Sequence, residues 1–210
     1  MKHLDTSLYF ITDSTGLSEE EFLRRTEEAL QGGVTLLQLR EKNRTTREYL
    51  SLAEKVHELT RRYGVPLLID DRLDVAMAMD AEGVHLGQSD LPIHIARRIL
   101  GPDKIVGATA KTVPQATEAY EQGADYLGVG ALFPTETKVN TVLTSIDTLK
   151  DIVKAVPIGV VGIGGLDESN VDILTGSGAQ GGAVVRAIVK AQDPEQAARR
   201  LREKLDAILK

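Results

Sequence analysis

Gln38, Arg40 and Lys42 stand at alternate positions at the end of the run Val34-Thr-Leu-Leu-Gln-Leu-Arg-Glu-Lys42. Two-residue spacing is the period of a β-strand, so one face of a largely apolar strand ends in an amide and two cations. Two other apolar runs end in carboxylates: Leu67-Leu-Ile-Asp-Asp71, and Val84-His-Leu-Gly-Gln88 followed by Asp90. Asp71 and Asp90 offer hard oxygen donors without accompanying histidine or cysteine. That set suits Mg²⁺, which keeps several waters and takes substrate phosphate oxygens as further ligands. Taken alone, two loop aspartates read as solvated caps, and Arg40 and Lys42 as a solvated rim. Beside each other, and with Lys138 on the same expected face, they suit a metal–polyphosphate.

A second signal is Gly162-Ile-Gly-Gly165, which follows the apolar run Ile158-Gly-Val-Val161. Its backbone N–H groups could hold a phosphate without obstruction by side chains, and a tight turn needing positive φ would draw on the same residues. The spacing is not that of a dinucleotide-binding fingerprint, and no acidic residue follows at the required distance.

These groups need a scaffold that gathers strand ends. Val/Ile/Leu runs predict strands near 8–12, 34–40, 66–70, 83–87, 104–108, 125–130, 157–162 and 181–185. Helical spacing predicts helices over 19–31, 46–63, 72–80, 91–100, 112–122, 145–155, 168–175 and 194–209. Ser18, Thr45, Pro114 and Asp193-Pro194 read as caps or first-turn prolines. Eight βα units of about 26 residues each predict one (β/α)₈ barrel, a TIM barrel of the α/β class spanning residues 1–210. A doubly wound open sheet is the alternative, but the regularity of the eight units favours closure. In a barrel the C-terminal strand ends share the face that carries the active site.

The chain has 210 residues, a net charge of −6 and no cysteine. The charge argues against a general nucleic-acid binder. The missing cysteines exclude a disulfide framework, a thiolate metal site and a cysteine nucleophile. No apolar run approaches the length of a membrane span, and the N-terminal Met1-Lys-His-Leu-Asp5 lacks the pattern of a signal peptide, so a cytoplasmic protein is expected.

Gln38-Leu-Arg-Glu-Lys42, Asp71-Arg72, His85-Leu-Gly-Gln-Ser-Asp90, Pro134-Thr-Glu-Thr-Lys138 and Gly162-Ile-Gly-Gly165 occur in the order and spacing of the thiamine-phosphate synthase family. The resemblance covers essentially the whole chain, from Leu8-Tyr-Phe-Ile-Thr-Asp13 to the last helix. It implies a transferase that joins a hydroxymethylpyrimidine diphosphate to a thiazole phosphate with Mg²⁺ and releases pyrophosphate. It implies a pyrimidine diphosphate site at Gln38, Leu39, Arg40, Glu41, Lys42, Asp70, Thr109 and Lys138. A thiazole phosphate site falls on Thr135, Glu136, Thr137, Gly165, Val185 and Arg186, and the metal on Asp71 and Asp90. No protein nucleophile is implied, and a homodimer is.

Some residues have plainer readings. Gln38 could simply end a strand, and Thr135 and Thr137 could be turn residues after Pro134. His85, inside an apolar strand, reads as a hydrogen-bonded core residue rather than a base. His3, His57 and His94 have no constellation around them. Four positions depart from the usual family pattern: Asp70 for Asn, Thr109 for Ser, Lys111 for His and Arg186 for Ser. Asp70 matters most, because an ionised carboxylate accepts hydrogen bonds but cannot donate one to a diphosphate. Two rival activities remain: a barrel that isomerises the thiazole phosphate, and a phosphate-ligand sensor without turnover.

Overall fold

Short runs of β-branched and leucine residues, buried along both faces, build the sheet. The computed structural model describes residues 4–135 and 142–209. The strands are β1 (Leu8–Ile11), β2 (Leu36–Leu39), β3 (Leu67–Asp70), β4 (Gly83–Leu86), β5 (Ile105–Ala110), β6 (Tyr126–Gly130), β7 (Gly159–Ile163) and β8 (Gly181–Val184). All pair in parallel in sequence order, and β8 returns to β1, closing the barrel. The registers Gln38↔Leu68, Asp70↔His85, His85↔Gly107 and Thr109↔Gly128 fix the heights of the polar side chains on neighbouring strands.

Strand alternation divides the interior in two. Leu37, Leu39, Ile69, Val84, Val106, Leu127 and Val160 pack outward in the layer between sheet and helices. Tyr9, Ile11, Leu36, Leu68, Tyr126, Val161 and Ala183 fill the barrel itself. Each fully buried aliphatic side chain in these layers contributes roughly 1.5–3 kcal/mol of transfer free energy.

The helices begin where short polar side chains can satisfy their open N–H groups. Ser18 caps α1 (Glu19–Gln31), and Thr45 with Glu48 forms a capping box on α2 (Thr46–Tyr63). The next are α3 (Leu73–Ala78), α4 (Ile93–Leu100), α5 (Val113–Glu121) and α6 (Ile146–Ala155). Thr112 caps α5 with Pro114 in its first turn, and Asp193 caps the last helix, α8 (Pro194–Ile208).

Two elements differ from the sequence expectation. The helix expected over 168–175 is only a 3-10 turn, Val171–Leu174. Asp167 Oδ1 accepts from Ser169 N and Oγ, and Asn170 Oδ1 accepts from Asp167 N at 2.9 Å. These local side-chain bonds compete with a helical ladder. Gly176 and Gly178, at φ +63° and +79°, then turn the chain toward β8. The second difference is a short helix, α7 (Arg186–Val189), which follows β8 directly and was not expected. Strand limits also shift: the run expected over 34–40 pairs only over Leu36–Leu39, and β5 extends to Ala110.

Candidate active site

The ends of β2, β3 and β4 carry a charged sector built from side chains. Lys42 Nζ lies 2.6 Å from Asp70 Oδ2 and also bonds Asp71 Oδ2. Arg40 Nε stands 3.9 Å from the same Asp70 oxygen. Asp70 is buried, whereas Lys42 is partly exposed toward the mouth. Burial, reinforced by the neighbouring charge of Asp71, pushes the Asp70 carboxyl up from 3.8 to about 6, against the pull of Lys42 and Arg40. Burial also disfavours the charged Lys42, but its two carboxylate partners outweigh that and hold its pKa above the ordinary lysine value.

Asp71 has φ +59°, an unusual left-handed conformation for a side-chain-bearing residue. Its N–H donates to the His85 carbonyl at 3.0 Å. Burial pushes Asp71 up, but bonds with Lys42 and Asp90 outweigh it and hold the carboxyl below the usual range. Asp90, which accepts the Gly87 N–H at 2.7 Å, is pushed up by burial and by its hydrogen bond with Asp71. The two carboxyls thus face each other, and a divalent cation between them would relieve their mutual repulsion. Among the described residues no group of three or more His, Cys, Asp or Glu side chains is arranged for a metal. Two converging hard oxygen donors, with water and phosphate completing the shell, fit Mg²⁺.

Arg40, Glu41 and Lys42 also border a cavity of about 300 Å³ with Asp13, Ser14, Thr15, Asn43 and Arg44. Glu41 is engaged by Ser14 Oγ and Arg44 Nε, both at 2.9 Å, which stiffens the loop that carries the cations. Leu39 turns its side chain into the outer core, and its carbonyl accepts from Tyr49 OH at 2.6 Å, so it acts as scaffold beneath the cationic loop.

Between the charged sector and β5 runs a buried chain of hydrogen bonds across the barrel. Gln38 Nε2 donates to Tyr9 OH at 2.5 Å, and the Tyr9 and Tyr126 hydroxyls lie 2.8 Å apart. Tyr126 OH is 2.8 Å from His85 Nδ1, and His85 Nε2 is 3.0 Å from Thr109 Oγ1. Glycines make the room. A Cβ at Gly107 would lie 2.3 Å from the Tyr126 ring, and one at Gly128 would lie 3.3 Å from His85 Cε1. His85 is thus the hydrogen-bonded interior residue that its strand position predicts. Tyr9 and Tyr126 were missed. Their signal is aromatic hydroxyls inside strands, together with glycines in the strands beside them.

The ends of β6, β7 and β8 form a second sector, built from main chain. Gly164 and Gly165 adopt φ +97° and +65°. Gly164 O accepts from Phe133 N, and Gly165 O from Asn170 Nδ2. A Cβ at Gly165 would lie 2.7 Å from both Phe133 Cβ and Pro134 O, so glycine is needed for packing as well as for the turn. Val185 ends this sector beside β8, and Arg186 opens α7 with an exposed side chain. Thr135 is half-buried at the end of the segment after β6, while Glu136, Thr137 and Lys138 lie outside the described residues. Lys111 Nζ donates to Val142 O at 3.1 Å. His57 bonds Glu82 at 3.1 Å and His94 bonds Gln122 at 3.2 Å, both away from these groups.

The structure thus brings Gln38, Arg40, Lys42, Asp70, Asp71, Asp90 and Thr109 to the C-terminal ends of β2 to β5. Gly165, Val185 and Arg186 stand at the ends of β7 and β8. Comparison with known proteins identifies the family. A family model described as thiamine monophosphate synthase matches residues 8–188. The chain is 52% identical over 202 residues to thiamine-phosphate synthase 2 of Streptococcus pneumoniae serotype 4, covering 96% of each. It is 46% identical over 200 residues to the thiamine-phosphate synthase of Clostridium tetani, over 95% of this chain and 96% of that one. The solved thiamine phosphate pyrophosphorylase of Pyrococcus furiosus matches with a TM-score of 0.89 at 39% identity, over 99% of this chain and 98% of that one.

Proposed function

We propose, because the chain belongs to the thiamine monophosphate synthase family, that it joins 4-amino-2-methyl-5-(diphosphooxymethyl)pyrimidine to a thiazole phosphate and releases pyrophosphate. The bond from the pyrimidine methylene carbon to the diphosphate oxygen breaks, and its electron pair leaves with the diphosphate. The substrate's own amino group supports the positive charge on the pyrimidine-methyl group. The thiazole nitrogen then gives its lone pair to that carbon. Such a reaction needs leaving-group stabilisation and orientation, and it requires no protein nucleophile.

Arg40 presents a planar fork and Lys42 a point charge to the departing diphosphate. Asp71 and Asp90 would hold Mg²⁺, which would supply positive charge to the leaving group. Gln38 and Thr109 orient the pyrimidine ring. Gly165 and the main chain at Val185 and Arg186 hold the thiazole phosphate, with Thr135, Glu136 and Thr137 lining the thiazole and Lys138 the diphosphate. A cytoplasmic homodimer belongs to the same reading.

The observation that carries it is the convergence of two cations and a facing carboxylate pair on one mouth, with a glycine turn at the opposite strand ends. A barrel that only isomerises the thiazole phosphate would need the second sector and not the first. Incubation with both phosphorylated substrates and Mg²⁺ tests the reading, with thiamine phosphate and pyrophosphate expected in equal amounts. Binding of both substrates without either product would favour a sensor. Isomerisation of the thiazole phosphate alone would favour the tautomerase.

A further inference from the structure

We propose that Tyr9, Tyr126 and His85 form a one-way hydrogen-bond relay that sets which site residue accepts and which donates toward the pyrimidine ring, and so selects a 4-amino over a 4-oxo pyrimidine. The inference rests on the reading that Gln38 and Thr109 face that ring. It follows from counting protons along the buried chain. Gln38 Nε2 donates to Tyr9 OH, and of the two directions open to the 2.8 Å hydroxyl pair the relay takes the one in which Tyr9 donates to Tyr126 OH. The single Tyr126 proton then goes to His85 Nδ1, a strong neutral acceptor. With Nδ1 accepting, the ring proton of neutral His85 is on Nε2 and is donated to Thr109 Oγ1. Burial pushes both phenols well above their ordinary pKa, so each keeps the one proton that the count assigns.

Two consequences appear at the ends. Gln38 has its amide nitrogen turned inward, and among the described residues no side chain takes up Oε1, which leaves an acceptor for the ligand. Thr109 already accepts from His85, so its hydroxyl proton is free to donate into the mouth. A 4-aminopyrimidine presents the complement, an N–H donor on the amino group and a lone pair on the adjacent ring nitrogen. A 4-oxo ring presents an acceptor and a ring N–H, the opposite polarity. A site whose buried polar groups are committed in this way rejects the mismatched ring, because each end would be left unpaired. Tyr9, Tyr126 and His85 act through Gln38 and Thr109. They are positioning residues, and Gly107 and Gly128 exist in part to admit two of them.

Calorimetry with the 4-amino and 4-oxo pyrimidine diphosphates, without thiazole phosphate, tests the proposal. The native protein should prefer the amino ring at least about tenfold. Tyr126→Phe removes the hydroxyl shared by Tyr9 and His85, and should bring the two affinities within about threefold while leaving thiazole phosphate binding unchanged. Tyr9→Phe breaks a different link and should act alike, so a folding defect in one variant does not decide the matter. The His85 ring, one of four histidines, can be followed by nitrogen NMR and should be the Nε2–H tautomer. An Nδ1–H tautomer, or native discrimination kept in both tyrosine variants, overturns the relay while leaving the functional reading intact if Gln38→Ala still weakens the amino ligand. If Gln38→Ala leaves that affinity unchanged, the functional reading at this residue fails and the relay fails with it.

Discussion

The two halves of the barrel mouth are built by different means. At β2 to β4 the side chains do the work: Arg40, Lys42, Asp71 and Asp90 are held by mutual ion pairs and hydrogen bonds. At β7 the contribution comes from main chain, with Gly164 and Gly165 at positive φ and a neighbouring segment packed against them. The difference teaches where each half can be damaged. Truncating a side chain removes a charge from the first half and leaves the fold standing. Adding a side chain to the second half changes the backbone itself.

The largest effect should come from the carboxylate pair. On the proposed reading, Asp71→Ala or Asp90→Ala removes a hard donor to a cation that would supply several kcal/mol to the leaving group, so thiamine phosphate formation should fall at least about a hundredfold. Thermal unfolding should move little by comparison, since both side chains sit on the rim. Undiminished turnover in excess chelator would remove the metal from this half altogether.

Arg40→Ala and Gly165→Val then separate the halves. Arg40 makes a charge-assisted contact worth about 1.5–3 kcal/mol, so its loss should weaken the pyrimidine diphosphate roughly ten- to a hundredfold and leave the thiazole phosphate alone. Gly165→Val should do the reverse with a somewhat smaller effect, because backbone strain at positive φ costs about 1–3 kcal/mol. It should also lower the melting temperature, given the overlap with Phe133 and Pro134. Steady-state kinetics with each substrate varied in turn decides the matter. If both variants impaired the same substrate, the division of the mouth would be wrong.

That asymmetry also explains what the sequence disclosed. The charged half was legible because charge at the end of an apolar strand is conspicuous at the level of residue type. The eight-strand barrel was legible because parallel strands buried on both faces read as continuous apolar runs. The hydrogen-bond chain was not, because Tyr9 and Tyr126 look like ordinary β-formers until register puts the Tyr126 ring over Gly107 and beside His85 and the Tyr9 hydroxyl against Tyr126. The missing helix after β7 was hidden for a local reason. The sequence around Asp167, Ser169 and Asn170 has enough apolar spacing for a helix, yet those side chains bond to nearby backbone first. Gly165 bears out the turn reading with φ +65°, and only its contact with Phe133 and Pro134 reveals the packing role.

Asp70 carries the smallest expected effect and the finest test of the charged half. A carboxylate where an amide is usual has two options, to join the metal shell or to turn its side chain away. The geometry gives a third, with Asp70 buried beneath Lys42 and Arg40 and drawing on the cations meant for diphosphate. Asp70→Asn removes that competition, so the Michaelis constant for the pyrimidine diphosphate should fall about fivefold, worth roughly 1 kcal/mol. The Mg²⁺ requirement should stay the same. In metal-free protein the same change has a pH signature. The folded pKa of about 6 lies above the ordinary 3.8, so Asp70 contributes stability that is present below about pH 4 and lost as pH rises through about 6. Asparagine has no proton to lose, and the melting temperature of Asp70→Asn should therefore gain on the native protein between pH 4 and pH 6. Parallel melting curves across that window, or a variant that needs markedly more Mg²⁺ with no gain in substrate affinity, would return Asp70 to the metal shell or to a passive position.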